Sequence, residues 1–130
     1  MKYKIFIDGK EGTTGLKIFE RFAGRTDIEL LQIAEEKRKD PAERKRLINE
    51  SDFTFLCLPD DAARESAALC DNDHTVIIDA STAHRTNPDW AYGFPELDKC
   101  FLDKILSSKR VAVPGCYVSG AIAILYPLVK

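Results

Sequence analysis

Five short apolar runs alternate along this chain with stretches of helical spacing, and that alternation constrains the fold more than any other feature. The runs are Tyr3–Asp8 (YKIFID), 28–34 (IELLQIA), 53–58 (FTFLCL), 75–79 (TVIID) and 111–113. Between the first two, 14–22 places Leu16, Ile18, Phe19 and Phe22 close to one helical face. Asp40-Pro41 opens a second helix, with Asp as N-cap and Pro at the first helical position, reaching about Asn49. Pro59 stops the third run, and Asp60 or Asp61 caps an Ala-rich helix ending near Cys70. Two more helices are expected over 95–106 and 119–129. The third run carries no charge and is rich in β-formers, as expected of a strand buried on both faces. Strand–helix alternation of this kind specifies βαβ units, hence an α/β fold with a doubly wound, mainly parallel sheet and helices on both faces. Ligands in such sheets bind beyond the C-terminal strand ends, so the informative residues should follow the strands.

Composition narrows what such a fold could do. The 130 residues are 45% hydrophobic, and 19 cationic against 21 acidic side chains leave a net charge of −2. That apolar content excludes disorder as the main state, and the weak acidity argues against nucleic-acid binding. No apolar run approaches the ~20 residues of a membrane span, and the start is too weakly apolar for a signal peptide. Cysteines stand at 57, 70, 100 and 116, none in a CxxC pair, with His only at 74 and 84. That spacing fits neither a metal site nor a disulfide framework, and it points to reduced thiols in a cytoplasm.

The first strand runs into Gly9-Lys10-Glu11-Gly12-Thr13-Thr14-Gly15, a GxxGxxG spacing that opens a helix. Glycines there permit a tight turn and close approach of a pyrophosphate, and the helix start offers free N–H groups. Thr13 and Thr14 add hydroxyl donors. The chain is therefore expected to be a Rossmann-like NAD(P)-binding domain over 1–130. After the second strand, Glu35-Glu36-Lys37-Arg38-Lys39 lies where such a fold meets the adenosine ribose. A carboxylate there suits a 2′-hydroxyl and a cation suits a 2′-phosphate. Both are present; the three consecutive cations favour the phosphorylated cofactor, through Lys37 and Arg38 above all.

Val113-Pro114-Gly115-Cys116-Tyr117 sets a cysteine between the last strand and a helix start. A free thiol ionises near pH ~8.5, and a helix N-terminus favours its thiolate. Gly115 leaves room for a substrate carbonyl, and neighbouring N–H groups could hold an oxyanion. Cys57, inside an apolar run, reads instead as a core thiol, and Cys70 and Cys100 as structural or incidental. A thiol nucleophile beside a nicotinamide site implies attack on an activated acyl group, a thioester, and its reduction by hydride.

The chain resembles the N-acetyl-γ-glutamyl-phosphate reductases of arginine biosynthesis, in their shorter subtype. The resemblance rests on GKEGTTG (9–15), CLPDDAARE (57–65), DASTAHRTNPDWAYGFPEL (79–97) and VPGCYVSGAIAILYPLV (113–129). It implies NADPH-dependent reduction of N-acetyl-glutamyl-5-phosphate to the semialdehyde, with Cys116 as nucleophile. Gly12, Thr13, Thr14 and Gly15 would meet the pyrophosphate, Pro59 would lie along the cofactor, and Ser81 and Thr82 would stand near its nicotinamide end. Arg85 is expected either to clamp the acyl phosphate with paired hydrogen bonds or to stand in a structural ion pair. His84 is not expected to be the base, because the family's catalytic His lies beyond the cysteine in a second domain. The chain therefore reads as an N-terminal portion, nearly inactive alone, of a homo-oligomeric parent. Competing readings are an aspartate-semialdehyde dehydrogenase-like enzyme, in which Asn commonly precedes the cysteine where Gly115 stands here, and a non-catalytic dinucleotide-binding module.

Overall fold

The computed structural model describes residues 1–130. The elements run β1 (Tyr3–Asp8), α1 (Thr13–Ala23), β2 (Ile28–Leu31), a 3-10 turn (Glu35–Lys37), α2 (Pro41–Glu50), β3 (Phe53–Leu56), α3 (Asp60–Ala68), β4 (Val76–Asp79), β5 (Ala91–Tyr92), α4 (Lys99–Ser107), β6 (Arg110–Ala112) and α5 (Cys116–Val129). All strand pairs are parallel, in the order β2-β1-β3-β4-β6-β5. The chain steps outward from β1 to β2, then returns past β1 to β3. The winding therefore reverses between β1 and β3, the position at which open α/β sheets take their ligands.

The two faces are built differently. Phe6, Thr54 and Ile77 stand in register, and Asp8, Leu56 and Asp79 form the next inward row. They meet Leu47 and Ile48 of α2 and Ala63 of α3 in a core that also holds Trp90 and Ala112. Burying a side chain such as Leu56 or Ile77 contributes about 2 kcal/mol. The polar members of this face are paired internally: the Ser51 and Thr54 hydroxyls are 2.7 Å apart, and the Thr75 hydroxyl donates to the Ser51 carbonyl at 2.8 Å. On the opposite face α1 lays Phe22 against Phe55, with ring centroids 5.7 Å apart. There Phe53, Phe55 and Ile78 stay half-buried. The third run is thus central in the sheet but fully buried on one face only. No residue of α5 is buried, and Tyr117, Ile124 and Leu128 are exposed.

Several boundaries differ from expectation. The second strand ends at Leu31, not at 34, because the chain turns away to wall a cleft with Gln32 and Ile33. The third ends at Leu56, so Cys57 lies just beyond it. A sixth strand, β5, pairs with β6 through only Ala91 and Tyr92, too short a stretch to show alternation in sequence. α4 starts at Lys99, not at 95, because the Asp98 carboxylate accepts from the Cys100 N–H and sets the first turn there. α3 is capped by Pro59; Asp60 is already helical, and its carboxylate accepts from the N–H of Thr82 at 2.9 Å and from the Thr82 hydroxyl. α5 starts at Cys116, ahead of 119, since the Ser119 N–H and hydroxyl both donate to the Gly115 carbonyl, at 2.9 and 2.6 Å.

Candidate active site

The parallel ladder continues past the strand ends and lines up the loops in which the sequence places its candidate residues. Cys57 N–H donates to the Asp8 carbonyl at 2.8 Å, Ala80 N–H to Leu56 at 3.0 Å, and Val113 N–H to Asp79 at 2.8 Å. One edge of the sheet therefore holds, in order, the glycine loop, 57–59, 80–85 and 113–116. Strand spacing puts the first of these about 14 Å from the last.

The three glycines of the first loop are not equivalent. Gly9 has φ +86°, and a Cβ there would lie 2.3 Å from the Cys57 carbonyl oxygen. A Cβ on Gly15 would lie 2.3 Å from the Gly9 carbonyl oxygen. Backbone packing requires both. Gly12 is different: it is the N-cap of α1 at φ −73°, and a Cβ would meet only the Gly9 oxygen at 3.5 Å and the Cys57 oxygen at 3.9 Å. The fold tolerates a side chain at 12, and a cradle that a Cβ would fill is left open. No side chain caps α1 and no acid stands in its first turn, so its N–H groups are available to an anion. Gly12, Thr13 and Thr14 face Cys57, Leu58 and Ala80 across a small recess. Leu58 also lines a larger cleft of about 320 Å³, walled by Gly9, Lys10, Glu11, Phe19, Leu31, Gln32, Glu35, Glu36, Arg38 and Lys39. Of the two expected cations, Arg38 lines that cleft and Lys37 does not. Arg38 is ion-paired with Glu11 at 3.1 Å. Burial alone would push the Glu11 carboxyl up, but its own backbone N–H and the Arg38 guanidinium outweigh it and hold the group below its ordinary value.

At the other end of the edge, Cys116 is exposed as the first residue of α5. Arg85 ties this loop to β4: its Nε donates to the Val113 carbonyl at 2.9 Å and its Nη2 to the Ala80 carbonyl at 3.3 Å. The guanidinium lies so close to Gly115 that a Cβ there would be 2.9 Å from Nη1. Ser81 is nearly buried, with its N–H and hydroxyl donating to Asp79 at 2.9 and 2.8 Å. Pro59 sits one residue past Leu58 as the cap of α3. Cys57 is half-buried at the floor of the recess; burial, then the charges of Asp8 and Asp79, push its thiol up to about 11.

Two clusters escaped sequence reasoning. Asp79, fully buried, also pairs with His84 Nδ1 at 2.6 Å, and the imidazole stacks on Trp90 with centroids 3.8 Å apart. Asp8 receives Arg44 Nη2 at 2.8 Å and the Ser66 hydroxyl, joining β1 to α2 and α3. The available signal was that the first and fourth runs both end in Asp, an odd residue for the end of a buried strand unless it is paired.

Residues 26–105 match the family model described as semialdehyde dehydrogenase, NAD binding domain. Among curated relatives, the N-acetyl-gamma-glutamyl-phosphate reductase of Chelativorans sp. (strain BNC1) is 59% identical over 130 residues, covering 100% of this chain and 42% of that protein. N-acetyl-gamma-glutamyl-phosphate reductase 2 of Pseudomonas putida is 56% identical over 126 residues, covering 97% and 40%. The chain spans about two-fifths of the length of these relatives. Their name is that of the family which the sequence resembles at 9–15, 57–65, 79–97 and 113–129. Among solved structures, aspartate semialdehyde dehydrogenase with NADP from Candida albicans superposes with TM-score 0.70 at 15% identity, over 99% of this chain and 47% of that one. Aspartate semialdehyde dehydrogenase II complexed with ASA from Vibrio cholerae gives 0.68 at 15%, over 98% and 46%. Those likenesses establish the Rossmann-like fold, and the matched domain is one that binds a nicotinamide dinucleotide. This chain belongs to the semialdehyde dehydrogenase NAD-binding domain family.

Proposed function

We propose that the chain is the cofactor-binding and nucleophile-bearing part of an NADPH-dependent N-acetyl-γ-glutamyl-phosphate reductase. It would act on N-acetyl-glutamyl-5-phosphate and yield N-acetyl-glutamate-5-semialdehyde. The observation that carries this reading is the shared sheet edge. One end offers a helix start with an open position at Gly12, and the other offers an exposed thiol at a second helix start. The 52–59% identity of the curated relatives supports the choice of substrate.

In this reading Gly12, Thr13, Thr14 and the first N–H groups of α1 hold the pyrophosphate, and Arg38 and Lys39 face the adenosine end. Pro59 and Ser81 border the path toward the nicotinamide. When bound, the cofactor supplies the hydride that reduces the acyl group. The chain's own chemistry begins with Cys116. Its thiolate attacks the acyl carbon, a C–S bond forms, the C–O bond to phosphate breaks, and phosphate leaves. The oxyanion formed in that step meets the free N–H groups at the start of α5. Gly115, expected to leave room for the substrate carbonyl, instead leaves room for the Arg85 guanidinium, which fills the space a Cβ would take. Arg85 has Nε and Nη2 engaged by carbonyls, so Nη1, beside Gly115, is the donor directed to the leaving phosphate. His84 is buried and stacked flat on Trp90, and it is given no base role. The base is assigned to the part of the longer relatives that this chain does not span. The same reading places the parent in the cytoplasm as a homo-oligomer.

A steady-state assay of the reverse reaction, with aldehyde, phosphate and NADP, tests the proposal in a full-length parent. Cys116→Ser should abolish turnover, a loss of several orders of magnitude, while NADPH binding persists. Retained turnover would refute the role of Cys116. The 130-residue chain alone should be nearly inactive.

A further inference from the structure

The Arg38–Glu11 ion pair lies in the lining of the larger cleft. Glu11 belongs to the glycine loop after β1, and Arg38 follows the 3-10 turn after β2. Arg38 Nη1 lies 3.1 Å from Glu11 Oε1, while its Nη2 lies 3.8 Å from Glu35 Oε1. Both partners line the cleft, together with Lys10, Glu36 and Lys39. Lys10 is directed elsewhere, over the Phe19 ring at 4.5 Å and toward Gln32. The side chains of Arg38 and Glu11 are 38% and 50% exposed, so the pair is weakly held and readily exchanged.

We propose that Glu11 sets the dinucleotide selectivity of this cleft, its carboxylate occupying Arg38 where the 2′-phosphate of a phosphorylated cofactor would otherwise take it. The inference rests on the reading that the cleft receives the adenosine end of a nicotinamide dinucleotide. A phosphate monoester carries between one and two negative charges and three acceptor oxygens, so Arg38 changes partner in its favour. The released Glu11 carboxylate then stands near the phosphate as a like charge and lowers the affinity. A 2′-hydroxyl carries no charge, takes nothing from the pair, and finds acceptors in Glu35 and Glu36. Glu11 therefore moderates a preference for the phosphorylated cofactor that Arg38 and Lys39 create.

Calorimetric titration of NADPH and NADH, at one ionic strength, into the chain and into E11Q, R38Q and the double variant tests this. Melting curves confirm that each variant is folded. E11Q should bind NADPH about three- to tenfold tighter and NADH within about twofold of the parent. R38Q should lose at least about tenfold for NADPH alone, and in its background the gain from E11Q should fall to about twofold. Unchanged or weaker NADPH binding by E11Q overturns the inference, as does an equal gain for both cofactors. Failure of every variant to bind either dinucleotide overturns the cofactor reading, and the inference with it.

Discussion

A methyl group added at Gly12 should separate ligand binding from folding. In Gly12→Ala the new Cβ meets nothing nearer than 3.5 Å, and the φ of −73° suits any L-residue. Alanine is a poorer N-cap than glycine, but it also lowers the entropy of the unfolded chain. The two effects oppose, so stability should change by less than about 1 kcal/mol. Gly9→Ala is the contrast. Its φ of +86° costs about 1–2 kcal/mol for any residue with a Cβ. A Cβ 2.3 Å from the Cys57 carbonyl oxygen forces a shift of the β1–β3 ladder, adding about 1–3 kcal/mol. The sum is about 2–5 kcal/mol. For binding the order reverses. The methyl at 12 stands in the recess shared by Thr13, Thr14, Cys57 and Ala80, where it would hold a pyrophosphate off the α1 N–H groups. NADPH affinity should fall at least about tenfold, or about 1.4 kcal/mol. Urea unfolding followed by circular dichroism and calorimetric titration measure the two quantities. If Gly12→Ala binds NADPH within about twofold of the parent, the phosphates do not approach that loop position. If it unfolds as readily as Gly9→Ala, the loop needs the glycine for its own turn and not for a ligand.

Alkylation and stability measurements check the other assignments. Brief iodoacetamide treatment near neutral pH should label exposed Cys116 ahead of half-buried Cys57, whose thiol is pushed up to about 11; mass mapping that found Cys57 first would contradict the placement of both. Because the folded Cys57 thiol ionises later than the unfolded one, its contribution is complete below about pH 9 and is lost as pH rises through about 11. Cys57→Ala should therefore flatten the alkaline fall in stability by about 2–3 kcal/mol, and urea midpoints with the same alkaline slope in both proteins would exclude the effect. Asp79→Ala deprives His84, the Ser81 hydroxyl and the Ser81 N–H of their acceptor, and should cost about 3–5 kcal/mol in chemical denaturation; a loss under about 1 kcal/mol would mean that the carboxylate is not engaged as described.

The amino-acid order by itself determined the α/β class, the parallel sheet and the placing of the glycine loop and the Gly115-Cys116 turn beyond strand ends. Those follow from local signals: apolar runs of strand length, helical spacing between them, and punctuation such as Gly9, Asp40-Pro41 and Pro59. The glycine loop and the Gly115-Cys116 turn were legible for the same reason, since each joins a strand to a helix within a few residues. Only the tertiary structure decided which of these residues stand next to one another. Parallel pairing places Asp8, Leu56 and Asp79 side by side from runs far apart in sequence, and no local pattern reports register. It brought Arg85 to the Val113 carbonyl, Arg44 to Asp8 and His84 to Asp79, contacts whose partners belong to different elements or loops. It also separated glycines that look alike as letters, because what a Cβ would strike depends on the neighbouring strand, and of the three in the loop only Gly12 would set a Cβ at ordinary contact distances. The edge strand Ala91–Tyr92 was invisible for a related reason: two residues carry no period, and they are held in the sheet by β6 rather than by their own preference.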